Sequence, residues 1–206
     1  YNSPTTTTVN GFTVLSFPGG AVQSPGSMTN PYAFNATGFT AMATASQAFT
    51  LEIWASPRAA NAGCLIKEFG NLTASTPAAG WEDAWINFYN GTINASVWGY
   101  TTPYSLGAYT QNSWYCISMA YNGTNQLKNY VNGVLVNTQS ITRQSQGTYC
   151  QLAIASCERY AYLGPGVGGS SPYFTGYVGA FKMYYSSLTA TQIQQNYDAL
   201  KWRYGL

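Results

Sequence analysis

Histidine is missing from all 206 residues, and with it the side chain that most often serves as general base near neutral pH or as metal ligand. Histidine triads and His-based metal sites are thereby excluded. Charge is nearly as scarce: Asp, Glu, Lys and Arg make up 7% of the chain, against roughly a quarter in ordinary soluble proteins. The eight basic residues are scattered singly and leave a net charge of +2, so there is no cationic stripe to neutralise phosphates and nucleic acid is not an expected partner. Apolar runs fall short of the ~20 residues of a membrane span, and no signal peptide is recognisable. An opening Tyr1 in place of Met is the expectation for a processed product or a fragment. Solubility must rest on Ser, Thr, Asn, Gln and Tyr, or on something attached to them.

What is present is a succession of short apolar-polar alternations separated by turn residues. Phe49, Leu51, Ile53 and Ala55 share one face of a strand that ends at Pro57, with Thr50, Glu52, Trp54 and Ser56 on the other. Asn90-Gly91 favours a two-residue type I′ turn, pairing Tyr89 with Thr92, Phe88 with Ile93 and Ile86 with Ala95 as one apolar face. The opposite face then collects Trp85, Asn87, Tyr89, Thr92, Asn94, Ser96 and Trp98, with Asp83 at its edge. Asn132-Gly133 repeats the turn chemistry, and Ser113–Tyr121 reads as a further strand. Residues 1–48 are Thr-, Gly- and Pro-rich, with GFTVLSF the one clear strand and residues 1–12 an extended N-terminal arm. Such a chain predicts an all-β domain of two packed antiparallel sheets spanning residues 1–206.

The end of the chain carries the most specific pattern. An aromatic strand, FTGYVGAFKMYY, runs through SSLT into ATQIQQNYDALKWRYGL, where Thr189 and Gln192 have capping-box spacing and Ile193, Tyr197 and Leu200 recur at helical spacing. With FTLEIWASP and NYVNGVLV upstream, this cassette resembles the laminin-G-like branch of the concanavalin A-like lectin and glucanase superfamily. Its final QQNYDALKWRYGL resembles the tails of such domains in bacteriophage and large DNA virus structural proteins. The resemblance implies a two-sheet antiparallel jelly-roll sandwich with a short C-terminal helix laid against it.

The four cysteines, Cys64, Cys116, Cys150 and Cys157, lack zinc-site spacing, and an even number is read as disulfides with three pairings open. The family pattern places Cys64 and Cys116 in strands and suggests that they pair, leaving Cys150 with Cys157. Sequons at Asn35, Asn71, Asn90, Asn94 and Asn122 would supply solvation as attached sugar. Disulfides and sequons together imply an extracellular or virion-surface setting.

Catalysis finds little support. Glycosidases need two carboxyl groups about 5 to 9.5 Å apart, and the acids are only Glu52, Glu68, Glu82, Asp83, Glu158 and Asp198. The glucanase pattern of acids at alternate positions on one strand is absent, because Thr50 and Trp54 flank Glu52; a cross-strand pair of Glu52 with Glu68 is the one arrangement left. Sugar binding is better founded, since sugar C–H faces pack on flat aromatic rings while amides and carboxylates order the hydroxyls. Trp85, Tyr89, Trp98, Asn87 and Asp83 are the candidates. The resemblance also allows calcium as an accessory, with Glu82, Asp83 and Asn87 as its only local ligand set; no other cofactor is expected. The chain is therefore expected to be a non-catalytic structural or adhesive module of a virion or extracellular assembly, recognising or carrying glycans and contacting other copies or subunits. A free-standing secreted lectin is the alternative, and a glycoside hydrolase ranks third.

Overall fold

The computed structural model describes residues 4–20, 44–70, 81–97, 104–143, 150–155 and 173–206. Strands dominate them: β1 (Thr5–Val9), β2 (Phe12–Gly20), β3 (Phe49–Pro57), β4 (Gly63–Gly70), β5 (Trp81–Tyr89) and β6 (Thr92–Ala95) come first. After these follow β7 (Tyr104–Ala108), β8 (Tyr115–Tyr121), β9 (Gln126–Val131), β10 (Val134–Ser140), β11 (Cys150–Ile154) and β12 (Tyr173–Tyr184). A helix, α1 (Ala190–Leu200), and a 3-10 turn at Lys201–Tyr204 complete the chain.

Hydrogen bonds divide these strands into two layers. The front layer runs β1-β2-β12-β3-β8-β9-β10 and the back layer β11-β4-β5-β6-β7. They join where Tyr173, at the start of β12, bridges Cys64 of β4, and where the Thr175 amide donates to the Ala62 carbonyl. The apolar core lies between the layers. Phe49, Leu51, Ile53, Ile117 and Met119 from the front meet Leu65, Trp85, Ile86, Phe88 and Ile93 from the back, all of them buried. Rings carry the seam: Phe49 stacks on Trp85 at 5.0 Å, and Phe88 meets Phe174 at 5.7 Å. The architecture is the expected β-sandwich.

Local sequence explains the turns. Asn90-Gly91 and Asn132-Gly133 sit at positive φ, as a type I′ hairpin demands, and the β5–β6 register contains the three expected pairs. Asn10-Gly11 makes a third such turn, and here the structure corrects the sequence reading. Thr5–Val9 form an edge strand paired with β2 in the register Thr7 to Val14, not an extended arm. A β-branched run placed before an Asn-Gly turn is a strand signal, and this one prevailed.

The outer face of the front layer is covered as well. All nine residues of β3 are buried, because α1 and the 3-10 turn lie over Thr50, Glu52 and Trp54. Thr189 caps α1 in a full capping box with Gln192. Ile193 is fully buried against Ala120 and Tyr130, which contributes about 1.5–3 kcal/mol. Trp54 is sandwiched by Tyr197 at 5.6 Å and Tyr204 at 4.5 Å. Gly179 in β12 makes this possible, since a Cβ there would collide with the Tyr204 ring. No helix among the described residues is long and apolar enough to cross a membrane.

Candidate functional site

The β5–β6 hairpin and β7 build the face that the sequence singles out. Directly paired residues share a face, so the register places Asn87, Asn94 and Ser105 in one row across three strands, with Tyr89 and Thr92 in the next. The Asn94 amide donates from Nδ2 to Asn87 Oδ1 at 3.2 Å and to the Thr92 carbonyl at 3.3 Å. Asn87 is buried, Asn94 and Tyr89 half-buried, and Ser105 exposed. The turn beside them is tied down by the Asn90 amide donating to Asn61 Oδ1 at 2.6 Å and the Gly91 amide donating to the Ala60 carbonyl. The Asn94 amide, two hydroxyls and a phenol therefore stand at a fixed surface with the buried Asn87 amide beneath, the mixture that orders a sugar's hydroxyls beside an aromatic ring.

Trp85 is not part of that surface. The β4–β5 register shifts where Ile66 and Lys67 oppose Ile86 and Ala84, and Trp85 lies at the irregularity. Its ring turns inward onto Phe49, is fully buried, and donates from Nε1 to Glu68 Oε2 at 2.7 Å. A platform role at Trp85 is thus replaced by a core role, for a reason that simple alternation could not reveal. Trp98 and the side chains of Asp83 and Glu82 lie outside the described residues. Of the calcium set only Asn87 can be assessed, and its Oδ1 already accepts from Asn94. No group of three His, Cys, Asp or Glu side chains able to hold a metal occurs among the described residues, which do not include the Glu82 and Asp83 side chains.

Glu52 and Glu68 do not share a cleft. Glu52 projects from the outer face of β3 beneath α1, where its Oε1 lies 3.1 Å from Lys182 Nζ. Glu68 is held inside the sandwich, with Oε1 3.0 Å from Arg143 Nη2 and both side chains fully buried. Arg143 also lies over the Phe49 and Trp85 rings and donates to the Thr44 carbonyl at 2.9 Å. Asp198 sits on the exposed side of α1 and pairs with Lys201 at 2.7 Å. Hydrogen bonds from Lys201 and Gln194 hold its carboxyl below the ordinary carboxylate value, and the same contact raises Lys201. Glu158 lies outside the described residues.

The expected Cys64–Cys116 bridge is absent. Cys64 is in the back layer, where its thiol donates to the Ile66 carbonyl, and Cys116 packs with Trp54 in the outer cluster of the front layer. Two strands, β3 and β12, separate theirs along the sheet path, roughly 14 Å at the usual interstrand spacing and too far for a bridge. Burial, reinforced by the Glu52 carboxylate, pushes the Cys116 thiol well above its ordinary value. Cys150 lies in β11, its side chain outside the described residues, as is Cys157 altogether.

Among the sequons, Asn90 is exposed at its turn. Asn94 uses its Nδ2 within the hairpin. Asn122 is exposed, and its Oδ1 accepts from the amides of Thr124, Asn125 and Gln126. Asn35 and Asn71 lie outside the described residues. Sequence reasoning passed over Trp202 and Arg203 beyond α1. The available signal was that Trp202 falls off the Ile193-Tyr197-Leu200 stripe in a region otherwise rich in buried rings.

Comparison with known proteins agrees with the fold. A family model described as the concanavalin A-like lectin/glucanases superfamily matches residues 29–194. The binding domain of Paraclostridial Mosquitocidal Protein 1 superposes on 96% of the chain with a TM-score of 0.60 at 12% identity, and the chain spans 46% of that domain's length. A heptameric SAP-like pentraxin from Limulus polyphemus gives 0.54 at 15% identity, covering 87% of this chain and 78% of the pentraxin. Trypanosoma rangeli sialidase in complex with the inhibitor DANA gives 0.54 at 14%, covering 90% of this chain and 27% of the enzyme. At such identities these likenesses establish the fold alone. No curated protein sequence matches the chain.

Proposed function

Because the chain belongs to the concanavalin A-like lectin/glucanase superfamily, we propose that it is a non-catalytic recognition module that binds glycans and works as a structural or adhesive surface component of a virion or extracellular assembly. The observation that carries the reading is the Asn87-Asn94-Ser105 row with Tyr89 beside it on the β5–β6–β7 face. A sugar ring lies against the phenol while the Asn94 amide and the hydroxyls sort its hydroxyl pattern.

Two features support the non-catalytic and assembled parts. Glu52 and Glu68 sit on different faces of different layers, each with its own cation, so neither is placed to share a scissile bond with the other. One of the two outermost front strands, β10, exposes Val134 at 63%, Leu135 at 46% and Val136 at 42%, an apolar edge that suits contact with other copies or subunits. A free-standing lectin would share the sugar face and have no use for that edge.

A glycan array tests the binding function. The wild type is expected to bind a defined subset of glycans, and Tyr89→Ala or Asn94→Ala to weaken it by about tenfold with the fold intact. Size-exclusion chromatography tests the assembly: a multimer without ligand is expected, and a monomer would favour the free-standing lectin. Wild-type binding unchanged by either substitution would remove the β5–β6–β7 face from consideration.

A further inference from the structure

We propose that Trp202 and Arg203 form a second ligand site, one for a sugar bearing an acidic group. Among the described tryptophan side chains, Trp54 and Trp85 are fully buried and Trp114 nearly so, whereas Trp202 leaves 59% of its surface to solvent. Its ring is nevertheless fixed. Trp202 Nε1 donates to the Ala199 carbonyl at 3.0 Å, and the indole stands edge to face with Phe12 at 5.2 Å and 79°. The Arg203 guanidinium lies 5.0 Å from the Phe12 ring centre and 5.5 Å from that of Trp202. Asn10, in the β1–β2 turn, donates to the Arg203 carbonyl at 3.3 Å and locks the hairpin to the 3-10 turn. An aromatic ring held this way loses little freedom when a ligand arrives.

Charge sets the class of ligand. The ion pairs among the described residues engage Arg143, Lys182 and Lys201. Arg203 has no acidic partner there, and its buried Nε has no hydrogen-bond partner. The apolar face of a sugar ring packs on an indole, and a planar guanidinium accommodates carboxylate or sulfate oxygens in bidentate fashion. A neutral sugar would leave the cation unanswered, and an apolar protein segment would have to bury it unpaired. The inference rests on the glycan-recognition reading but uses a surface on the front layer, whereas Asn87, Asn94 and Tyr89 belong to the back layer.

Calorimetric titration of the full chain with sialyllactose, with a heparin-derived disaccharide and with lactose tests it, the first two separating carboxylate from sulfate. At least one acidic probe is expected to bind about tenfold or more tightly than lactose. Trp202→Ala and Arg203→Gln should each weaken that binding by about tenfold or more, and Arg203→Lys should recover part of it. Circular dichroism verifies that the variants fold. The proposal is overturned if neither acidic probe binds, if lactose binds equally well, or if the Trp202 and Arg203 variants bind as the wild type does. If Tyr89→Ala alone abolishes binding, the second site falls while the proposed function stands.

Discussion

Glu68 and Arg143 form an ion pair at 3.0 Å inside the sandwich, both side chains shut off from water. Trp85 donates to the other carboxylate oxygen at 2.7 Å and Arg143 donates to the Thr44 carbonyl at 2.9 Å, so each charge has a further partner beyond the pair. Removing one partner leaves the other charged and buried. Arg143→Met is expected to destabilise the fold by about 3–5 kcal/mol, and the Glu68→Gln/Arg143→Met double variant by less than the sum of the single changes. Urea denaturation of the four proteins measures this. An additive result would mean that the pair acts as two independent polar groups.

The chain should weaken in alkali. Burial raises the Cys116 thiol above its ordinary 9.0, and the phenols of Tyr109, Tyr121, Tyr130, Tyr197 and Tyr204 above their ordinary 10.0. A raised folded value contributes stability that is complete below the unfolded value and is lost as pH climbs through the folded one. The denaturation midpoint is therefore expected to hold steady to about pH 9 and fall beyond it. Cys116→Ala should move the onset toward pH 10, where tyrosine begins to ionise in the unfolded chain. A midpoint that stays flat to pH 11 would contradict the assignment.

Thiol accessibility offers a simpler check. Cys64 and Cys116 are both buried and are not joined to each other. Peptide mapping after iodoacetamide treatment should find both unmodified in the native protein and both alkylated after denaturation without reductant. A recovered Cys64–Cys116 cross-linked peptide would overturn this placement of β4 and β8.

Close packing at β12 predicts intolerance to small additions. A Cβ at Gly179 would meet the Tyr204 ring, and one at Gly176 would meet the Ser56 carbonyl and the Phe174 ring. Gly179→Val is expected to cost about 1–3 kcal/mol by displacing Tyr204 from Trp54. Gly176→Ala should cost at least as much, because the obstructing backbone of β3 cannot rotate away. Thermal melting of both variants, with near-ultraviolet circular dichroism reporting the aromatic cluster, distinguishes local loosening from global loss.

Much of the fold could be read locally. Asn90-Gly91 and Asn132-Gly133 announce their hairpins because only a type I′ turn matches two tight, twisted strands, and the Ile86-Ala95 and Phe88-Ile93 pairs follow by counting. The Thr189–Gln192 box and the Ile193 stripe were equally plain. What escaped depends on partners far away in sequence. Trp85 belongs by alternation with Tyr89, yet the irregularity opposite Ile66 and Lys67 turns it inward to Phe49 and Glu68. Likewise nothing near Cys64 or Cys116 tells that β3 and β12 stand between them. Within the candidate site, Asn87, Tyr89 and Asn94 were legible because they share one hairpin. Arg203 was not, because Phe12 lies at the other end of the chain.

The position of β12 constrains how the molecule can be made. It is flanked by β2 and β3 and touches β4, yet it is synthesised after all of them. While the ribosome is still producing the preceding residues, β2, paired with β1, and β3, paired with β8, each keep one open edge where Tyr177 and Val178 will later sit. A nascent chain in that condition exposes sticky strand borders from the completion of β3 until Tyr173–Tyr184 emerges, so chains arrested before β12 should associate more readily than chains that include it.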